Sequence, residues 1–535
     1  MIANRHKLTD YVTLGLFASL TFALQSVAWP LSEGRDYGTY IFYYLDFLLE
    51  HPPFQTLMLY RTPISPFVLG LLLDYGGAIV TELVMGLLFV ISVSLTYATG
   101  QFYSRRIGVL SAITLMFFPP FGAIFHAVSG DPIFATLLLV WVYFMKRFAT
   151  SVSKRTYILH GLFVAVLFLT RPIAQTFLLF VIVPFLLGGC NFRKRFQLAL
   201  VFLSVSVSIG LLWSTHNYVR YDDFTIARGS AAMIPFQRAF VMSKIVHPEN
   251  GKHSAKFISL IKAELLSKEP YLSYDINTKQ LLSSGSSRIF LDLWAFSDRV
   301  WGWDSDHKEL RKVGIEAVTN HPWAFAYGLA RDFLYMLSGK YRHNPPLIKL
   351  PQSTSQNSQT KVSVNPKPTL SSSNSLPVPT EQSPIPGPNS LWVASNPNNS
   401  VIRNWDNIRT SGAEFVFLDP KLEHNYFLRA AKASHFPNLP VRTSNAFLSK
   451  FFNNVTRFIY PSIIVWVSIG LCGLLYRPTR LEFIDSFPFL LALGAVFITT
   501  LAANANLHYA FPFIPVFFLF GTIGFNKLLN MISDR

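Results

Sequence analysis

The chain has 535 residues, of which 46 are Lys or Arg and 29 are Asp or Glu, giving a formal charge of +17. Charged types make up 14%, against about 25% in a soluble domain, while hydrophobic types reach 51% and aromatics 15%. So few charges cannot clothe an aqueous surface, which excludes a soluble enzyme, a disordered chain, a collagen and a disulfide scaffold and leaves a polytopic membrane protein.

A membrane-crossing helix takes about 20 mostly apolar residues. Runs of that kind cover 11–29, 78–99, 107–125, 131–146, 156–171, 173–189, 196–213, 457–476, 486–503 and 509–530. The predicted fold is therefore all-α, with about ten transmembrane helices, seven early and three late. The run Tyr11 to Trp29 is too long and aromatic for a removed signal peptide and reads as an anchor. Basic residues crowd alternate short connections: Arg5 and Lys7, Arg105 and Arg106, Lys146 to Arg155, Arg193 to Arg195, Arg477 and Arg480, and the C-terminal tail. The turns around Ser129 and Asn504 contain none. By the positive-inside rule both termini are cytoplasmic, and loops 30–77 and 214–456 face outward. Cys190 and Cys472 lie in or beside apolar runs on the cytoplasmic side, so no disulfide framework is expected.

This divides the chain into a seven-helix membrane module, 1–213, with a long first outer loop at 30–77, and a three-helix module, 457–535. Between them lie an outer loop with interfacial helices at 214–350, a Ser/Pro/Asn-rich insertion at 351–400 and a further outer segment at 401–456. The insertion has almost no apolar periodicity, cannot offset its ordering entropy by burial, and is expected to be disordered. In the first loop, Phe42, Leu45, Phe47, Leu48 and Leu49 read as the apolar side of a helix lying along the membrane. The prolines of Tyr60-Arg61-Thr62-Pro63-Ile64-Ser65-Pro66 predict a bend rather than a helix. His321 to Gly339 is apolar but interrupted by Arg331 and Asp332, and predicts an interfacial helix with Arg331 toward the headgroups.

Ionisable residues are costly in hydrocarbon, so their positions carry information. Asp36 and Arg61 fall in the first outer loop, and Glu82, His126, Asp131, Arg171, His216, Arg220 and His508 fall at or just beyond the outer ends of the predicted spans. Duller readings compete: Asp131-Pro132 is an ordinary helix start, Arg171 and Glu82 could snorkel, and His126 reads more readily as a headgroup contact. Asp36 is hardest to explain away, because it heads a long loop rather than a connector. Asp304 and Asp306 form an Asp-x-Asp, but without a surrounding nucleotide-binding domain they read as a helix-capping cluster.

The ordered set resembles the GT-C class of integral-membrane glycosyltransferases, in particular the protein O-mannosyltransferase and aminoarabinose transferase-like family. Arg61, Pro63 and Pro66 match part of an R-P-P-G-Y-P stretch, and Ser129-Gly130-Asp131 matches an acidic start to the fourth helix. Leu169-Thr170-Arg171-Pro172 matches a Leu-Thr-Arg-Pro close to the fifth. His216-Asn217-Tyr218, with Phe224 and Gly229, and His508-Tyr509 through Pro515 match later patterns, with histidine in place of arginine in both. Glu316-Ala317 through His321-Pro322 resembles a helix that re-approaches the membrane. The single acid at Asp36, without an adjacent Glu, departs from the true protein O-mannosyltransferases.

The resemblance implies a glycosyltransferase that moves a sugar from a polyprenyl-phosphate donor to a lipid, glycan or protein acceptor at the outer face of a bacterial plasma membrane. Asp36 is then the general base, since an acceptor hydroxyl must lose its proton as the new bond forms. Arg171 is the leading candidate for the departing phosphate, with Arg61, His216 and His508 behind it. Asp131 either orients the acceptor or shares a divalent metal with Asp36. No other cofactor and no nucleic acid is implied. A transporter or flippase of a lipid-linked or anionic substrate, or an O-antigen ligase or polymerase, is the competing reading, although transporters favour ionisable groups at the midplane.

Overall fold

The structure, a computed structural model, describes residues 2–34, 37–49, 59–188, 190–228, 233–267, 271–272, 275–301, 307–339, 392–395, 401–405, 413–417, 445–476, 480–502 and 506–533. Helix α1 (Ile2–Ala28) leads to a short strand β1 (Ser32–Glu33) and helix α2 (Tyr37–Phe47). Helix α3 (Ile64–Leu71) runs through a π turn, Leu72–Gly76, into α4 (Gly77–Gln101). Then come α5 (Arg105–Met116), α6 (Pro119–Ala123) with a 3-10 turn to His126, β2 (Ala127–Val128), α7 (Asp131–Arg147) and α8 (Lys154–Thr170). A 3-10 stretch, Pro172–Ile182, and α9 (Val183–Leu186) precede α10 (Phe192–Tyr221).

A separate unit follows: α11 (Ile234–Gln237), α12 (Lys252–Leu260), α13 (Thr278–Ser283), α14 (Ser287–Trp301) and α15 (Lys308–Asn320). Helix α16 (Pro322–Ser338) returns to the bundle. Strands β3 (Trp392–Ser395), β4 (Val401–Trp405) and β5 (Ala413–Phe417) form an antiparallel sheet. The chain closes with α17 (Ala446–Phe458), α18 (Ile463–Leu475), α19 (Arg480–Ala502), a 3-10 stretch, Leu507–Phe513, and α20 (Ile514–Ser533).

The fold is predominantly helical, and every apolar run read from the sequence forms helix among the described residues. Among the described residues, five helical stretches are long and apolar enough to cross a membrane, or seven if the bent pairs α5–α6 and α17–α18 each count as one. The chain is thus a multi-pass membrane protein, with fewer full-length spans than the ten predicted. Helices α7 and α8 have 17 residues each, and the stretch 172–186 is shorter.

Lipid tails are as apolar as leucine, so packing rather than the hydrophobic effect joins such helices. Small residues permit it: a Cβ on Gly473 of α18 would collide with Gly524 of α20, and one on Gly100 of α4 would come 2.6 Å from Gly108 of α5. The unit from α11 to α15 has its own core, with Phe236, Phe240, Ile261, Leu281, Leu293, Phe296, Leu310 and Val313 fully buried.

Four local expectations change. Pro63 and Pro66 do not prevent a helix: Pro63 caps α3 and Pro66 lies in its first turn, where no intrahelical N–H is required. Helix α2 is buried around most of its circumference rather than along one side, with Tyr40, Ile41, Tyr43, Tyr44, Leu45 and Asp46 all covered, while Leu48 just beyond it is exposed. Helix α16 does carry Arg331 on an exposed side, but its other side packs on α18, α19 and the 507–513 stretch, and Asp332 is buried there in a pair with Arg238. Strand β3 falls inside the segment read as a disordered insertion.

Candidate functional site

Two X-Pro dipeptides build the centre of the site. Arg171 precedes Pro172, and proline excludes the helical region for its predecessor, so α8 stops and Arg171 is extended at φ −146°, ψ 125°. Asp131 precedes Pro132 in the first turn of α7, where the helix dipole favours a carboxylate. The Arg171 Nη1 and Asp131 Oδ1 form an ion pair, their side chains 18% and 15% exposed. The guanidinium also lies 5.7 Å from the centre of the Phe134 ring. Phe513 meets the same ring edge-on, 5.7 Å between centres, from the 3-10 stretch Leu507–Phe513 that also carries His508.

The first loop folds over this pair. Strand β1 runs parallel to β2, matching Ser32 with Ala127 and Glu33 with Val128, and Gly34 presses on the Val128 backbone so closely that no Cβ would fit. Ser65 of α3 donates to the Thr170 carbonyl at 3.0 Å. A Cβ on Gly130 would come within 2.6 Å of the Ser65 Oγ and 3.2 Å of the Tyr40 hydroxyl, which is why glycine precedes Asp131. Arg61 sits over the Tyr40 ring at 5.7 Å. Asp131, Arg171 and Arg61 are thus gathered around Gly130, Ser65 and Tyr40. Asp36 lies outside the described residues, as do Gly229, Asp304 and Asp306.

His216 belongs to a different group, on the other flank of α3. It stacks on Trp213 at 4.8 Å and Phe47 at 5.7 Å, and Phe47 in turn meets Phe67 edge-on at 4.4 Å. Arg220 lies 5.2 Å above Phe47 and donates to the Leu49 carbonyl. Asp46, fully buried, is close enough to act electrostatically on Tyr221. Burial, with Tyr221 nearby, pushes the Tyr43 hydroxyl upward and keeps it neutral. Asp46 and Asp74, which accepts from the Tyr44 hydroxyl at 3.0 Å, were not singled out in the sequence. The only signal was an acid inside an aromatic run for Asp46 and after an apolar run for Asp74. His126, read as a headgroup contact, is fully buried and stacks on Phe22 at 4.5 Å, and Glu82 is also buried.

Among the described residues no group of three or more His, Cys, Asp and Glu gathers in a way that could hold a metal. The partner of Asp131 is itself a cation. What the arrangement offers is a part-exposed carboxylate and guanidinium at one end of the helices, on a floor of aromatic rings.

Residues 63–218, which include Asp131, Arg171 and His216, match the profile of the family described as dolichyl-phosphate-mannose-protein mannosyltransferase. Over that stretch the resemblance to membrane glycosyltransferases is borne out. Among solved structures, ArnT from Cupriavidus metallidurans is similar in its apo state, with 11% identity and a TM-score of 0.31, covering 98% of this chain and 78% of that one. The same protein bound to undecaprenyl phosphate gives 12% identity and a TM-score of 0.31, covering 97% and 78%. No curated protein matches the chain.

Proposed function

We propose that this chain transfers a sugar from a polyprenyl-phosphate donor to an acceptor hydroxyl at the outer face of the membrane. The observation that carries the reading is the Asp131–Arg171 pair, held at the ends of two membrane helices within the stretch that matches the mannosyltransferase family. A polyprenyl chain stays in hydrocarbon and delivers its phosphosugar at the headgroup level, where this pair would meet it. Arg171 has five N–H donors in a fork, enough to serve a carboxylate and a phosphate together. As the glycosidic bond breaks, charge builds on the departing phosphate, and a fixed guanidinium lowers the barrier. Arg61, beside Tyr40, is a second cation for the same group; His508, in the 3-10 stretch that ends at Phe513, is a weaker candidate, and His216 sits apart with Trp213 and Phe47.

Asp36 is the general base in this reading. It follows Gly34, which rests on Val128, and precedes Tyr37, where α2 begins. The acceptor oxygen bonds to the anomeric carbon, its proton passes to the carboxylate, and the polyprenyl phosphate leaves. Asp131 orients Arg171 and the acceptor. The acceptor is a lipid, glycan or protein hydroxyl.

The orientation read from basic residues, with both termini cytoplasmic, puts this end of the bundle outside. Helices α7 and α8 then cross as well, since 17 residues lie at the short end of the spanning range of about 17–25. With the stretch 172–186, the bent pair α5–α6 and the chain from Ile459 through α18, this restores the ten crossings. The test uses the purified chain in proteoliposomes with radiolabelled polyprenyl-phosphate sugar and cell-envelope extract. Label in a covalent product supports transfer; label that crosses the bilayer without one supports the transporter reading instead.

A further inference from the structure

The exposed face of α17 has no place in the chemistry above. Its inner side is fastened at the end of the bundle that carries the site. The Asn445 N–H donates to the Val27 carbonyl at 3.1 Å, the Trp29 Nε1 donates to the Ser449 Oγ at 3.1 Å, and Phe452 packs on Trp29 at 5.2 Å. Ser449, Phe452 and Thr456 are buried along that side. The outer side shows Phe447, Phe451 and Phe458, which are 76%, 52% and 71% exposed. At 100° per residue these three rings fall within about 40° of arc. Exposed Lys450 and Arg457 run along one edge of that stripe, the Arg457 guanidinium 5.0 Å from the Phe458 ring.

We infer that α17 lies in the plane of the bilayer surface, with its phenylalanine stripe in the acyl boundary and its basic edge on anionic phospholipid headgroups. Three exposed rings on one narrow arc would be an aggregation liability in water, whereas beside a basic edge they have the form of an interfacial helix. Continuity argues for lipid as the occupant. After a 40° bend the chain enters α18, which carries no charged residue and exposes Val465 and Leu475. Protein holds the bend itself: the Tyr460 hydroxyl donates to the Thr114 carbonyl at 3.1 Å and its ring packs 5.1 Å from Phe118. A surface helix therefore continues into an apolar one without leaving the lipid. Trp29 links α17 to the turn into β1, so this anchor sets the height of the strand pair before Asp131 relative to the headgroups.

The test is site-directed spin labelling of the full chain in nanodiscs of phosphatidylcholine with and without phosphatidylglycerol. The background is Cys190→Ser and Cys472→Ser, with labels at Phe451→Cys, Phe458→Cys and Lys450→Cys. Labels at 451 and 458 should be reached by oxygen rather than by a water-soluble nickel relaxant, and the label at 450 should report the headgroup level. Nickel access at 451 and 458 would overturn the proposal. So would access to neither reagent, meaning that protein covers the face, or an equal acyl depth at all three positions, meaning that α17 is half of a broken span. Retained phosphatidylglycerol, read by native mass spectrometry, should fall about fivefold for each of Lys450→Gln and Arg457→Gln; unchanged retention would contradict the anionic part.

Discussion

Arg171–Asp131 and Arg238–Asp332 are the same chemical pair in different surroundings. The first has side chains 18% and 15% exposed, at the open end of α7 and α8. The second is 2% and 6% exposed and joins the separate unit to α16, with the Arg238 Nη1 2.9 Å from the Asp332 Oδ2. Arg331 adds a second cation to Asp332 at 3.1 Å. Burial pulls the Arg238 guanidinium down from its ordinary value while Asp332 pulls it back up. A sealed pair can only hold elements together, and its charges are costly when separated. A part-open pair can exchange one partner contact for a substrate. The difference in exposure suits one to holding the fold together and leaves the other open to the chemistry proposed for it.

Substitutions can break that contrast. Asp332→Ala leaves a buried guanidinium uncompensated and should cost about 3–5 kcal/mol of stability. Thermal unfolding in detergent would show the loss, and an unchanged midpoint would put the pair among solvated contacts. Arg171→Ala should reverse the pattern, with turnover falling by about 10²–10³ and the unfolding midpoint nearly preserved. A stability loss equal to that of Asp332→Ala would make Arg171 a structural residue.

Gly130→Ala pushes a methyl onto Ser65 and Tyr40 and should cost about 1–3 kcal/mol through overpacking, together with a weaker use of donor. A variant with wild-type stability and activity would show that the approach of α2 and α3 to Asp131 is not tight.

The smallest effect belongs to the separate unit. The Glu316 carboxylate accepts the His253 N–H at 3.0 Å and the Ser254 N–H and hydroxyl at 2.8 Å, capping α12 from α15. Burial raises its pKa, but these donors prevail and hold it below the usual carboxylate range. A depressed folded-state pKa adds stability that is present above the unfolded value and lost as pH falls through the folded one. Glu316→Gln should therefore cost about 1 kcal/mol near neutrality, and the gap to wild type should close below about pH 4. A gap independent of pH would remove the charge from the account.

Much of this was legible in the sequence, for identifiable reasons. Apolar runs mark membrane helices because the bilayer demands both length and composition. Asp131 and Arg171 stood out because ionisable residues are rare there and each precedes a proline. Their pairing was not legible, since nothing local links positions 40 residues apart. The start of α3 was missed because Pro63 and Pro66 were read as breakers, and only the cap position shows that they are harmless. Asp46 was missed because its burial comes from the packing of α2 rather than from its neighbours in the chain. The span count exceeded the full-length helices because composition does not reveal bends such as the 61° break between α5 and α6.

The proposed reaction rests on a first-loop carboxylate, Asp36, that takes the acceptor's proton. Its most direct test is sugar transfer from a polyprenyl-phosphate donor in proteoliposomes by wild type and by Asp36→Asn, with insertion of both checked by protease mapping. The account predicts covalent product from wild type and none above background from the variant. Wild-type turnover by a correctly inserted Asp36→Asn would contradict it.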